Sequence, residues 1–499
     1  VDITVSAESI TQYSGDAVVV GVVQKGLLSG PAAEADTALG GLVTHLIDSG
    51  EIRGRAGELT VLHTQGRLPA SRVAVAGLGE ASQLDLYVAR RVMAAAARQL
   101  RDRGCRRIAT TLHRSVPGQP RPQMAVRAVI EAAYLGLYRG EERKTEPGPP
   151  DEFDELRLIT TVPADVPAAQ KAAETARLAG EATNYARRLV NLPGNEITPA
   201  RLADEALRIA EHTGAELEVL APEELRARRM GALLAVGQGS ANPPRLISLR
   251  YRGRQQAPLL AFVGKGITFD SGGISIKPSE NMHLMKQDMA GAAAVLAAAW
   301  AIAKLKLPVD LLAVVPTAEN MPGSGAYRPG DVVDTHSGKT VEVISTDAEG
   351  RLILADALSY ARGSGATHMV DLATLTGACI IALGYAAAAI LGNDSGVVEA
   401  LLDAGEQAGE RMWRLPLFPE YRRQLDSTIA DLKNVGGRPA GTITGGWFLR
   451  EFVGETSWAH IDIAGTAWSE KEEAHQVEGA TGSGTRTLIA FAERLAGAS

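Results

Sequence analysis

Short runs of β-branched and apolar residues alternate with helix-patterned stretches along most of this chain. That alternation narrows the possible folds more than any other property. Before residue 164 the runs stand at Ile3–Val5, Ala17–Val23, Leu59–His63, Val73–Ala76, Ile108–Leu112 and Leu156–Thr161. Helical patterning separates several of them, at Ala33–Ile47, Leu84–Arg101 and Met124–Leu137. Alternating β and α elements predict an α/β domain. The pattern resumes later, with strands expected at Leu259–Val263, Val309–Val315 and His368–Asp371 and helices at Met289–Lys304 and Leu352–Arg362. A hairpin is expected over Asp331–Ile344, turning at Ser337-Gly338. A chain of 499 residues exceeds what one ordinary core serves. The long helical pattern Val166–Leu192 is the expected connector, so the predicted division is an N-terminal α/β domain over 1–163, a connecting helix over 164–192 and a C-terminal domain over 193–499. The charged, proline-rich stretch 140–154 is expected to be a surface loop.

Composition excludes several classes. At 45% hydrophobic and 22% charged residues the chain is globular rather than disordered. A net charge of −7 supplies no global attraction to nucleic acid or anionic membrane. Ten arginines against the single acid Asp102 in residues 90–127 are the local exception; a solvated or oligomer-facing helix surface is the favoured reading, with a nucleic-acid face left open. Two distant cysteines, Cys105 and Cys379, make neither a disulfide framework nor a CxxC zinc site and suit a reducing, cytoplasmic setting. The opening VDITVSAESI lacks a basic segment followed by an apolar run, so no secretory leader is expected. The longest apolar run, Met289–Ala303, is too short and alanine-rich to span a bilayer, so no membrane partner is expected.

Two segments carry the chemistry. Residues 345–352 read STDAEGRL, with Asp347 and Glu349 two apart and Arg351 close behind. Residues 263–288 read VGKGITFDSGGISIKPSENMHLMKQD and hold Lys265, Asp270, Lys277 and Asp288 among glycines. Alone, each segment reads as an ordinary turn with solvated charges. Their joint occurrence at predicted strand ends changes that, because open α/β sheets gather ligands at the carboxyl ends of their strands. Four carboxylates in one cleft would repel each other and raise their own pKa values. Two divalent cations held about 3.5–4 Å apart would neutralise them, as in two-metal hydrolases. The oxygen-dominated set suits Mn²⁺ or Mg²⁺, with Zn²⁺ as an alternative. A lysine in such a site can ligate as a neutral amine or stabilise an oxyanion as an ammonium, and spacing does not assign the two roles.

Rival motifs fail on single residues. A phosphate loop needs glycine where Leu259 stands and Ser or Thr where Gly266 stands. Ser271-Gly272-Gly273 is no nucleophile elbow, because Phe269 occupies the first glycine position. None of the nine histidines lies in an HExxH.

The chain resembles the leucyl (cytosol) aminopeptidase family. The resemblance runs through NYARRLVNLPGNEITPARLA (184–203), VGKGITFDSGGISIKPS (263–279), PTAENMPGSGAYRPGDVV (316–333), STDAEGRLILADAL (345–358), DLATLTGA (371–378), GGRPAGTITGGWFL (436–449) and WAHIDIAGTAW (458–468). It implies two α/β domains, a smaller N-terminal macro-domain-like unit and a larger C-terminal catalytic unit with a mixed sheet flanked by helices. It implies two divalent cations per subunit, Mn²⁺ first and Zn²⁺ as the alternative. Asp270 and Glu349 would bridge them, Lys265 and Asp288 would complete the tighter site, and Asp347 the exchangeable one. Lys277 would polarise the scissile carbonyl, and Arg351 would hold a bicarbonate acting as general base. Met285, Thr374, Leu375, Gly377, Ala464 and Ala467 would line the pocket for the first residue of a peptide substrate, with leucine-like side chains preferred. A homohexamer is implied as well.

Two positions depart from the family pattern. Ser345 stands where asparagine is usual, removing an amide near the metals or the substrate backbone. Ala467 stands where methionine is frequent and should enlarge the pocket. A nucleic-acid-binding regulator and a two-metal phosphatase are the competing functions; the second would want more cationic phosphate clamps than Lys277 and Arg351.

Overall fold

The computed structural model describes every residue except 117–121, 141–142, 147, 149–151, 255–257, 473–475 and 498–499. The surface loop expected over 140–154 lies largely outside the described residues, as does Arg121. Two compact units are present, one of Val1–Asn184 with Glu470–Glu478, the other of Tyr185–Ser469 with Gly479–Ser499. Helix Val166–Asn191 carries the chain from the first into the second.

The first unit has strands β1 (Asp2–Ser6), β2 (Ala17–Val22), β3 (Leu59–His63), β4 (Arg72–Gly77), β5 (Arg107–Thr110) and β6 (Glu155–Ile159). They form one sheet in the order β1-β6-β5-β2-β4-β3, parallel except for β3 at its edge. The apolar runs are continuous because both faces are covered. Ala17, Val19, Ala74 and Ile108 meet one core with helices Leu86–Asp102 and Pro122–Leu137. Val18, Val20, Val73 and Val75 meet another with helices Gly30–Ala38 and Leu42–Asp48. Those last two were expected as one helix, Ala33–Ile47. Gly40 and Gly41 turn the chain at φ +70° and +83° and break it. At least six of the ten arginines in 90–127 pair with carboxylates, among them Arg90 with Glu131, Arg106 with Asp154 and Arg107 with Glu155. Their charge is largely spent within the unit, which disfavours a nucleic-acid face.

The second unit carries β7 (Glu216–Leu220), β8 (Arg245–Arg252), β9 (Leu259–Gly264), β10 (Gly266–Asp270), β11 (Asp310–Asn320), β12 (Val332–Asp334), β13 (Thr340–Glu342), β14 (His368–Ala373), β15 (Ala388–Gly392), β16 (Met412–Arg414), β17 (Leu432–Lys433) and β18 (Ser457–Asp462). The main sheet runs β16-β15-β18-β14-β9-β11-β8-β7, with β10 pairing β11 off this path. Its centre, β18-β14-β9-β11, is parallel, and β8 and β15 pair antiparallel on either side. Strands β12 and β13 form the expected hairpin, with Gly338 at φ +88°, and β17 joins them in a small separate sheet.

Helix Glu349–Gly363 buries Leu352, Ile353 and Leu358 in the core that also holds Leu259, Ala261 and Val263 of β9. Helix Ala290–Lys304, nine of its fifteen residues alanine, packs against β9, β11 and β14. Small residues are needed there. A Cβ on Gly264 would stand 2.5 Å from Gly291 O, and one on Gly291 would overlap Leu372 O. The strand ends and the start of the helix therefore meet backbone to backbone.

β10 starts at Gly266, one residue past Lys265, and Asp270 ends it. Asp288 lies in a 3-10 turn, Met282–Met289, just before the helix. Glu349 is the first residue of its helix, three residues earlier than the apolar pattern indicated.

Candidate metal centre

The carboxyl ends of neighbouring parallel strands converge, and each brings one polar group. Lys265 follows β9, Asp270 closes β10, Asn320 closes β11 and Thr374 follows β14. Asp347 and Glu349 come from the turn into helix Glu349–Gly363. Carboxylate oxygens of Asp270, Asp347 and Glu349 all lie within 4.8 Å of one another. Lys265 Nζ donates to Asp288 Oδ1 at 2.8 Å and to Thr374 O at 2.9 Å, and stands 2.9 Å from Glu349 Oε1. Thr374 Oγ1 also donates to Asp288, at 2.6 Å. Lys277 Nζ pairs with Asp270 Oδ2 at 2.9 Å and with Asp347. Of the predicted metal and catalytic residues, Lys265, Asp270, Lys277, Asp288, Asp347 and Glu349 thus form one cluster.

Two glycines admit this density of charge. A Cβ on Gly350 would overlap Lys265 Cε, so the glycine after Glu349 lets the lysine cross the first turn of the helix. Gly272 sits at φ +85°, where a side chain is strained, and its N–H donates to Asp270 Oδ1 at 2.9 Å.

The lysines do not satisfy the acids. Four carboxylates face two ammoniums. Glu349 Oε2 is buried without a hydrogen-bond partner. So is Asp288 Oδ2, although Lys265 Nζ stands 2.8 Å away without hydrogen-bond geometry. Burial pushes Asp288 well above the usual carboxylate range against the pull of Lys265. Asp270 is pushed up to about 6 by burial and by Glu349, with both lysines opposing. Burial also raises Asp347. Glu349 alone is held low, because Lys265 and Lys277 outweigh its burial. Burial would lower both lysines, but the surrounding carboxylates hold them above their ordinary value. A buried, over-acidic oxygen cluster with two oxygens that accept no hydrogen bond fits divalent cations.

Arg351 lies beside the cluster. Its Nη1 donates to Asn434 O at 2.8 Å, while its buried Nε has no partner. Burial pushes the guanidinium down to about 10, with Glu349 and Asp462 opposing.

Sequence reasoning missed the groups that hold the loops. Asn320 Nδ2 donates to Asp270 Oδ1 at 2.8 Å and to Thr346 O at 3.0 Å. Tyr327 OH reaches the same carbonyl at 2.9 Å. Asn434 clamps the turn before Asp347: its Oδ1 accepts from Ile344 N at 2.8 Å and its Nδ2 donates to Ser345 O at 2.7 Å. Asn320 and Tyr327 fall inside the family-like segment 316–333, which was a signal; Asn434 had none. Ser345 has a local use, its Oγ accepting from Asp347 N at 3.2 Å.

The predicted pocket residues are placed more loosely. Leu375 and Ala464 are joined, both backbone N–H groups donating to Asp462 Oδ1 at 3.1 Å. Met285 is half-buried on the 3-10 turn, and Gly377 is exposed at the start of helix Gly377–Leu383. Ala467 is buried, its carbonyl accepting from Thr481 N at 3.0 Å. No polar contact ties these last three to the carboxylates.

Comparison with known proteins gives a consistent answer. Residues 184–489 match the model of the cytosol aminopeptidase family catalytic domain, and residues 19–147 that of its N-terminal domain. A probable cytosol aminopeptidase of Geobacter sulfurreducens is 45% identical over 492 residues, covering 98% of each chain. One from Syntrophotalea carbinolica is 47% identical over 484 residues, covering 96% of this chain and 97% of its own. Among solved structures, a mutant of tomato leucine aminopeptidase superposes with TM-score 0.89 at 32% identity, covering 99% of this chain and 96% of its own. The bottromycin maturation enzyme BotP in complex with Mn superposes with TM-score 0.86 at 35% identity, covering 97% of this chain and all of its own. The chain therefore belongs to the cytosol aminopeptidase family, and it is a hydrolase of the aminopeptidase class.

Proposed function

We propose that this aminopeptidase is a two-metal exopeptidase that releases leucine and other apolar residues from peptide N-termini. The convergence of Asp270, Asp347 and Glu349 within 4.8 Å is the observation that carries the reading. Lys265 and Asp288 would complete one cation site and Asp347 the other, with Asp270 and Glu349 shared. Mn²⁺ is the favoured occupant and Zn²⁺ the alternative; the Mn complex of the BotP neighbour supports the first. Cations held there by Lys265, Asp270, Asp288, Asp347 and Glu349 would supply Lewis acidity and lower the pKa of a water towards neutrality.

The chain's own groups divide the remaining work. Lys265 can ligate only as a neutral amine, so it must lose a proton from Nζ. Its side chain is 4% exposed, against 21% for Lys277, which supports giving Lys277 the substrate-facing role and Lys265 the ligand role. Lys277 Nζ would hold its protons and face the scissile carbonyl as negative charge develops on the oxygen. Arg351 Nε–H would hold a bicarbonate, which supplies a general base. The peptide's free α-amine binds against the acidic cluster, which limits cleavage to the terminal residue. The domain division 1–163, 164–192 and 193–499, a homohexamer and a cytoplasmic location complete the reading; buried free Cys105 and Cys379 suit the last. Among the described residues no helix is long and apolar enough to cross a membrane.

Hydrolysis of leucine p-nitroanilide after chelation, with Mn²⁺, Zn²⁺, Mg²⁺ and Co²⁺ returned singly, tests the metal dependence. Activity is expected only with a returned metal, and full turnover by the chelated enzyme would refute it. Ala467 gives a second expectation: Phe- and Trp-amides should turn over at least as well as Leu-amide. A sharp loss for the aromatic substrates would mean that Ala467 does not widen the pocket.

A further inference from the structure

Asp462 is fully buried at the end of β18, where Ala373 of β14 stands opposite it. Its carboxylate reaches across to the neighbouring strand end. One oxygen, Oδ1, accepts from Leu375 N and from Ala464 N, each at 3.1 Å. The other, Oδ2, accepts from Thr376 Oγ1 at 2.7 Å. Thr376 Oγ1 lies 2.8 Å from Thr442 Oγ1 on helix Gly441–Val453. Beyond the last sheet pairing these N–H groups need acceptors, and one carboxylate serves two of them. Thr376 spends its hydrogen on Asp462, so Thr442 must donate to Thr376.

The segment after β14 is thereby fixed at three successive residues. Thr374 is held by Lys265 and Asp288, Leu375 by Asp462, and Thr376 by Asp462 and Thr442. Helix Gly441–Val453 limits the side chains. A Cβ on Gly445 would stand 3.3 Å from Leu375 Cδ2, 3.1 Å from Thr376 Cγ2 and 3.5 Å from Arg351 Nη2. The Leu375 side chain thus lies against that helix while its backbone N–H is anchored by Asp462. Among the described residues Asp462 makes no hydrogen bond to the carboxylate cluster, although its charge is felt by Arg351.

We propose that Asp462 is a positioning residue: by holding Leu375 and Ala464 on a single oxygen it sets the spacing of the pocket for the substrate's first side chain. This rests on the reading of Leu375 and Ala464 as pocket residues. Asparagine can replace it, since its Oδ1 still accepts from both N–H groups and its Nδ2 can donate to Thr376, whose hydrogen then turns to Thr442. Alanine cannot.

The test is kcat and KM for leucine- and alanine-p-nitroanilide with the metal-loaded full chain, comparing wild type, Leu375→Ala, Asp462→Ala and Asp462→Asn. A pocket contact of one methylene is worth ~10–200-fold, so Asp462→Ala should lower the leucine-over-alanine ratio of kcat/KM by about tenfold. The change should come mainly through KM for leucine, and Asp462→Asn should stay close to wild type. If Asp462→Ala does not fold, Asp462→Ser carries the same comparison, its hydroxyl being too short to reach both N–H groups. An unchanged ratio in Leu375→Ala overturns the pocket reading itself. A changed ratio there with an unchanged ratio in the Asp462 truncations, kcat falling for both substrates alike, overturns only the role of Asp462.

Discussion

Alanine at Asp347 should reduce leucine p-nitroanilide hydrolysis to background while leaving the protein folded. Asp347 is the most open of the four acids, its side chain 38% exposed against 9% or less for Asp270, Asp288 and Glu349. It sits in a turn held by Asn434 and Ser345 rather than by its own carboxylate. Removing it costs the proposed exchangeable site its only private carboxylate. Even outer-shell changes cost ~10–100-fold in metal affinity or activity, so loss of a ligand should exceed about 10²-fold. Steady-state rates across a Mn²⁺ titration, metal content and a melting curve would measure it. Bound metal should fall towards one ion per chain with the melting temperature little changed. Wild-type turnover in this variant would remove the exchangeable site from the mechanism.

Lys277→Ala should act on kcat rather than on KM. Loss of one group that stabilises a developing oxyanion typically costs about 10²–10³ in turnover. Asp270 and Asp347 remain, so metal content should be retained, separating this variant from Asp347→Ala. Arginine should not rescue it. The site takes one compact ammonium between two carboxylates, and a planar guanidinium distributes its donors differently. A kcat near wild type with KM raised would place Lys277 in ground-state binding instead.

Much of this centre was legible in the sequence, and the reasons are local. β-Branched and apolar runs gave the strands of the first unit to within a residue or two, the central ones being buried on both faces. Glu349 was legible beside Gly350 and Asp270 two residues before Gly272, glycines that admit close approach; Asp288 and Asp347 were legible only through their joint occurrence with these at strand ends. What the sequence hid was mostly non-local. Asn434 follows a two-residue strand of a minor sheet and acts across some ninety residues of chain on Ser345. Asp462 reads as an acid ending an apolar strand, and only the parallel pairing of β18 with β14 turns it toward Leu375 and Thr376. The start of helix Glu349–Gly363 was placed late because its first three residues, Glu-Gly-Arg, carry no apolar period and are buried for another reason.

Gly264, Gly291 and Gly350 perform no chemistry, yet each occupies a place where one added carbon would meet backbone or Lys265. A saturation mutagenesis screen scored on peptide hydrolysis alone would therefore rank them with the carboxylates. Abundance scored in parallel would divide the two groups: alanine at Gly291 should deplete folded protein, whereas substitutions at Asp347 should leave protein levels high and activity absent. The density of backbone contact beneath this centre thus sets the mutational paths open to the enzyme. Changes in specificity have room to enter through the strand-end turns after β14 and β18 and the turn that carries Met285, whereas at Gly264, Gly291 and Gly350 there is no room for a methyl group.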